Sequence, residues 1–186
     1  QKMPPESTPT ADKKNGLFES PEGVTGEDAK YYAPRIVMVI AGLSVHIMQG
    51  GLFVYYHVPN MILYNIFALI MWTIGGILIR LRHPILGVNL SFWEGFVHIN
   101  TVVFLYDFAT GSHYFFTVGV IAPFLLFGRE TRHHSYFAVG GTVIGGLCAP
   151  FFAPQFLPDT LTPDAISAFR ILTAINSLPP ANQMKI

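Results

Sequence analysis

Apolar residues run along this chain in five long blocks, separated by short stretches rich in proline, glycine, asparagine and charge. The blocks cover residues 36–56, 61–79, 91–109, 114–127 and 136–152. A helix needs about 20 apolar residues, rising 1.5 Å each, to cross the ~30 Å hydrocarbon core of a bilayer. The pattern therefore predicts an all-α integral membrane protein with five transmembrane helices. A sixth stretch, residues 165–178, is apolar on one face and carries Ser167, Arg170 and Ser177 on the other. At roughly 21 Å as a helix it is too short to cross. Pro179 and Pro180 stop it, so it is expected to be an interfacial helix or a truncated sixth span. Three regions follow: a polar, extended N-terminal tail over 1–34, a helical bundle over 35–155, and a loop with a short amphipathic helix over 156–186.

Charge sharpens this picture. Charged residues make up 12% of the chain and sum to zero net charge, against about 25% charged residues in an average soluble domain. They are unevenly spread: residues 1–30 are crowded with Lys, Asp and Glu, while residues 36–79 contain no Lys, Arg, Asp or Glu at all. The tail has no apolar run and does not read as a signal peptide. With alternating spans, Arg35, Arg80, Arg82, Arg129 and Arg132 all fall on one side, which the positive-inside rule makes cytoplasmic, together with the N-terminus. There is no basic stripe of the kind that binds nucleic acid. Cys148 is the single cysteine, so neither an intrachain disulfide nor a thiolate metal site can form.

Ionisable groups inside apolar spans are the natural functional candidates, because burying them in lipid is expensive. His46 lies in span one, roughly 15 Å from its inner end, and His98 in span three, roughly 11 Å deep. The two could meet if those spans touch. They could hold a haem or a pigment or pass a proton, although bonding to a backbone carbonyl or to a hydroxyl such as Ser44 is the favoured expectation. Asp107, His113 and Tyr114 flank the turn between spans three and four, where they could line an outward-facing mouth. Ser91-Phe92-Trp93-Glu94 fits the S-x-x-E capping box, which predicts that Ser91 caps span three and that Glu94 closes its first turn near the cytoplasmic interface. Gly141 and Gly145, four apart in span five, predict close helix packing. His133 and His134 are adjacent and read as interface anchors. No metal site is expected, and no catalytic motif is present, so the chain is not expected to be an enzyme.

An asparagine-bearing second span ending in "RLR", a third carrying Glu94 and His98 as E-x-x-x-H, then "GSHYFF" and "PFLLFGRE", make the chain similar to a known family. It resembles the six-span membrane modules that precede the catalytic domain of bacterial class III adenylate cyclases and related signalling proteins. The likeness covers residues 58–150, with Glu94, His98, Gly111, His113, Tyr114, Phe115, Pro123 and Phe127 at the matching positions. It implies a sensory or anchoring module of the bacterial inner membrane. The resemblance also implies a sixth span leading into a cyclase domain, of which residues 165–178 are at most a truncated start. An accessory subunit of a respiratory or photosynthetic membrane complex is the alternative. It would pack on neighbouring chains, lipids or pigments through the tail and the Gly141/Gly145 face.

Overall fold

In a computed structural model, which describes residues 16–106, 112, 114–152 and 162–177, the chain forms six helices and, among the described residues, no strand. They are α1 (Gly26–Tyr55), α2 (Pro59–Arg80), α3 (Pro84–Tyr106), α4 (Tyr114–Leu126), α5 (Arg132–Phe152) and α6 (Pro163–Ser177). Two of them, α1 and α2, are both long and apolar enough to cross a membrane. With 23 and 21 residues, α3 and α5 have the length as well, about 32–35 Å at 1.5 Å per residue. Glu94 and His98 are among the polar residues that dilute the apolar content of α3. With 13 residues, α4 is the short member, about 20 Å.

Three boundaries differ from expectation, each for a local reason. First, the tail does not stay extended to residue 34, because α1 already starts at Gly26. Thr25 is extended, and Glu27 and Asp28 occupy the first turn, where the helix dipole favours anions. The described part of the tail is held by its own chain, with Arg80 Nη1 donating to the carbonyl of Leu17 at 3.3 Å. Second, α3 begins at Pro84, not at Ser91. Proline suits the first helical position, where its missing N–H would have no helical partner. Third, α6 starts at Pro163, two residues earlier than expected, and packs on α1 and α4. Thr162 Oγ1 accepts the amide of Ala165 at 3.2 Å to cap it, and Pro163 follows as its first residue.

The ends of α1 and α2 are closed by the same device. His57 and Arg82 adopt left-handed φ values of 55° and 67°. The amide of Val58 then reaches back to the carbonyl of Phe53 at 2.9 Å, and that of His83 to Leu78 at 2.9 Å. These are six-to-one closures of the Schellman type. The first also seals an apolar contact, since Phe53 and Val58 belong to one buried cluster.

The helices pack around α3, which touches α1, α2, α4 and α5. Along the bundle the buried residues fall in layers. One end holds Tyr32, Ile36, Val39, Ile79, Val88, Leu126 and Phe127. The other holds Phe53, Val58, Met61, Val102, Tyr106 and Phe169. Between them in sequence position on α1, α2 and α3 lie His46, Gln49, Asn65, Glu94 and His98, all buried. The outward faces are apolar instead: Ile47, Leu63, Ile66, Phe67, Ile70, Ile77, Phe137, Ile144 and Leu147 are all exposed. This inverts the usual soluble arrangement, in which large apolar patches are covered.

Gly141 and Gly145 turn toward α3 of the same chain. A methyl group on them would stand 2.9 Å from the Trp93 ring and 2.8 Å from the Phe96 ring respectively. The face expected to receive a partner chain is thus occupied from within.

Candidate functional site

The polar layer centres on Glu94, which is 6% exposed in the middle of α3. Ten residues beyond Pro84, it lies roughly 15 Å into the helix. The capping-box expectation for Ser91 and Glu94 is therefore overturned. Their spacing of three serves another end, because on a continuous helix it puts both side chains on one face. That face meets α2, where Ser91 sits against Gly75 and Glu94 accepts a hydrogen bond from the indole N–H of Trp72.

Two imidazoles converge on the Glu94 carboxylate. His46 Nε2 from α1 lies 3.3 Å from Oε2, and His98 Nδ1, one turn along α3, lies 3.9 Å from Oε1. The rings meet edge to face, with centroids 4.6 Å apart. Tyr64 stacks on His98 at 5.2 Å. Expectation held that each histidine bonds a backbone carbonyl or Ser44. Ser44 instead donates to the carbonyl of Ile40, and both histidines bond side-chain amides.

Those amides set which nitrogen carries the proton. Asn65 Nδ2 donates to the carbonyl of His46 at 2.6 Å, which turns Asn65 Oδ1 toward His46 Nδ1 at 3.0 Å. An oxygen there requires the proton on Nδ1 and leaves the lone pair of Nε2 facing Glu94. Gln49 Oε1 lies 3.0 Å from His98 Nε2, and with the amide oxygen on that side Nε2 donates and Nδ1 turns its lone pair inward. Glu94 Oε1 and His98 Nδ1 are buried without a hydrogen-bond partner among the described residues. Three acceptors thus point at one another, an arrangement that a proton, a water or a metal ion between them would satisfy.

Small residues admit this cluster. A methyl group at Gly42 would collide with the Trp72 ring, and one at Gly50 would stand 2.6 Å from Asn65 Nδ2. The two glycines flank His46 on α1 by four residues each way, opening the surface to α2 on both sides. A cavity of about 100 Å³ adjoins the cluster, lined by His46, Gln49, Trp72, His98, Ser112 and Phe115 among others.

Of the residues singled out in the sequence, His46, His98 and Glu94 come together. Tyr114 opens α4 at 52% exposure, whereas the cluster draws on α1, α2 and α3. Asp107 and His113 lie outside the described residues. Gln49, Asn65 and Trp72 were not anticipated. Their spacing carried a signal: Gln49 is one turn from His46, and Asn65 lies two turns from Trp72, so each pair shares a face within a charge-free span.

At the end of the bundle that holds the arginines, Arg35 is fully buried and donates from Nε to the carbonyl of Leu126 at 2.9 Å and from Nη1 to Asp28 at 2.8 Å. Arg80 donates to the Tyr32 hydroxyl at 2.9 Å. These contacts bring Arg35, Arg80 and the turn after α4 to one end. Compared with known proteins, the chain matches no family model, no curated protein and no solved structure.

Proposed function

We propose that this chain is a non-catalytic integral membrane module with a sensory or regulatory role, of the kind placed ahead of class III adenylate cyclases. The observation that carries the proposal is the inverted bundle: a carboxylate and two imidazoles buried at its centre, inside helices whose outer faces are apolar. An apolar exterior suits lipid contact, and intramembrane ionisable groups mark function far more often than packing. Five crossings are proposed, α1 to α5, with the bilayer thinning locally to accept the 13-residue α4, and α6 lies across the outer end, where Phe169 meets Phe53 and Tyr56. The arginine-bearing end would face the cytoplasm of a bacterial inner membrane, with the N-terminus on that side.

The accessory-subunit alternative rests on the tail, the aromatic-rich spans, the odd span count and the short last helix, with the tail and the Gly141/Gly145 face as its docking surfaces. Gly141 and Gly145 pack against α3 of the same chain, and the buried ionisable cluster favours the sensory role.

The test is a chimera in which this chain replaces the membrane module of a class III adenylate cyclase, with cyclic AMP measured in inner-membrane vesicles. The expected result is a membrane-inserted cyclase whose output changes at least threefold between the parent chain and Glu94→Gln. A chimera recovered in the soluble fraction overturns membrane insertion. Equal output from inserted parent and variant overturns the sensory role.

A further inference from the structure

The cluster has the design of a metal centre. We propose that His46 Nε2, a Glu94 carboxylate oxygen and His98 Nδ1 bind one divalent transition-metal ion of the zinc or copper class. This names the ligand sensed at the site above, and to that extent it rests on the sensory reading.

Geometry comes first. One ligand atom from each residue lies within 4.8 Å of the others. Around a tetrahedral ion with bonds of about 2.0–2.1 Å, neighbouring ligand atoms stand about 3.3 Å apart. The His46–Glu94 separation is 3.3 Å and the His98–Glu94 separation 3.9 Å. These separations run to different oxygens, Oε2 for His46 and Oε1 for His98, so an ion has to draw the ligand atoms together from a set already within 4.8 Å of one another.

The surroundings match the ligands one by one. Metal-bound histidines donate their outer N–H to an oxygen acceptor, which fixes the tautomer and aims the lone pair. Asn65 does this for His46 and Gln49 for His98. Trp72 holds the remaining ligand by donating to the Glu94 carboxylate. Of the three buried side-chain atoms without a hydrogen-bond partner among the described residues, Ser91 Oγ, Glu94 Oε1 and His98 Nδ1, the last two belong to prospective ligands that are 6% and 3% exposed. Leaving such atoms unpaired is costly, and an ion satisfies both at once.

The donor set selects the metal. Two imidazoles and one carboxylate suit zinc, copper or nickel, whereas magnesium and calcium want shells built from oxygen. Three protein ligands leave a fourth position open, as in zinc sites that exchange a water or a small ligand. The adjoining cavity of about 100 Å³ is lined by His46 and His98 and gives that position room.

The full chain is purified in detergent with His133→Asn and His134→Asn, which removes the adjacent surface imidazoles as competing binders. After chelator treatment it is equilibrated with Zn²⁺, and separately with Co²⁺, in millimolar Mg²⁺. Metal per chain is read by mass spectrometry after gel filtration. The expected result is about one Zn²⁺ per chain, and visible Co²⁺ absorption of the tetrahedral type. His98→Phe and Glu94→Gln should abolish both, and Asn65→Leu should weaken affinity by about 10- to 100-fold as a lost outer-shell partner. Because those variants risk misfolding, the Co²⁺ spectrum of the parent stands as an independent readout. Less than about 0.1 Zn²⁺ per chain, an octahedral Co²⁺ spectrum, or binding unchanged in folded Glu94→Gln overturns the metal site and leaves a proton or a water to satisfy the acceptors. Zinc bound at the site with no effect on the cyclase chimera keeps the metal site and overturns the sensory role.

Discussion

Replacing Gly42 by alanine drives a methyl carbon into three ring carbons of Trp72, well inside contact distance. Carbon atoms sit best at about 3.5–4.0 Å, so the ring must withdraw by more than about 1 Å. It has little freedom to do so, being 8% exposed, tilted against His46 and bonded through its indole N–H to Glu94. Overpacking of this kind costs about 1–3 kcal/mol. A displaced indole also abandons its hydrogen bond to a carboxylate, about 1.5–3 kcal/mol. The expected destabilisation is about 2.5–6 kcal/mol for a single added methyl. Gly51 provides the control, since a methyl there meets nothing within 4 Å. Alanine at that helical position should stabilise by about 0.5–1 kcal/mol. Both variants can be followed by reversible unfolding in mixed detergent micelles. The chain has two tryptophans, so a Trp93→Phe background leaves Trp72 as the sole indole reporter. Gly42→Ala should unfold earlier and shift the Trp72 emission. If it matches Gly51→Ala in stability with unchanged emission, the α1–α2 packing that positions the whole cluster is wrong.

Two further outcomes test other parts of the fold. His57→Gly should stabilise the chain by about 1 kcal/mol, because a left-handed φ strains any residue with a Cβ; unchanged unfolding would refute the left-handed closure of α1. Gly145→Leu should destabilise the monomer by about 1–3 kcal/mol through collision with Phe96 and Asn100. Light scattering should show its assembly state unchanged, and a variant that loses a partner chain while keeping its stability would return that face to an intermolecular role.

Much of the candidate site was legible in the sequence as separate marks. His46, Glu94 and His98 stand out because each is an ionisable residue in an apolar block, and the chain shows that contrast without any fold. What those marks bond to was not legible. Ser91-x-x-Glu94 has two physical uses, a helix start or a shared helical face. The choice depends on where α3 begins, and Pro84 decided that. The amides that orient the histidines come from one turn away and from another helix, so no local pattern pairs them.

The sequence by itself determined the six helices to within a few residues for most ends, since apolar runs, prolines and glycines act over one or two turns. It also determined that charge gathers away from the apolar blocks. Only the tertiary structure decided that α1, α2 and α3 meet at one level, and that small residues at 42, 50 and 75 let Trp72, Asn65 and Ser91 enter the gaps. It also decided that two imidazole lone pairs and one carboxylate face one another. The reason is physical: a helix fixes the direction of a side chain, and the packing of its neighbours fixes what that side chain meets.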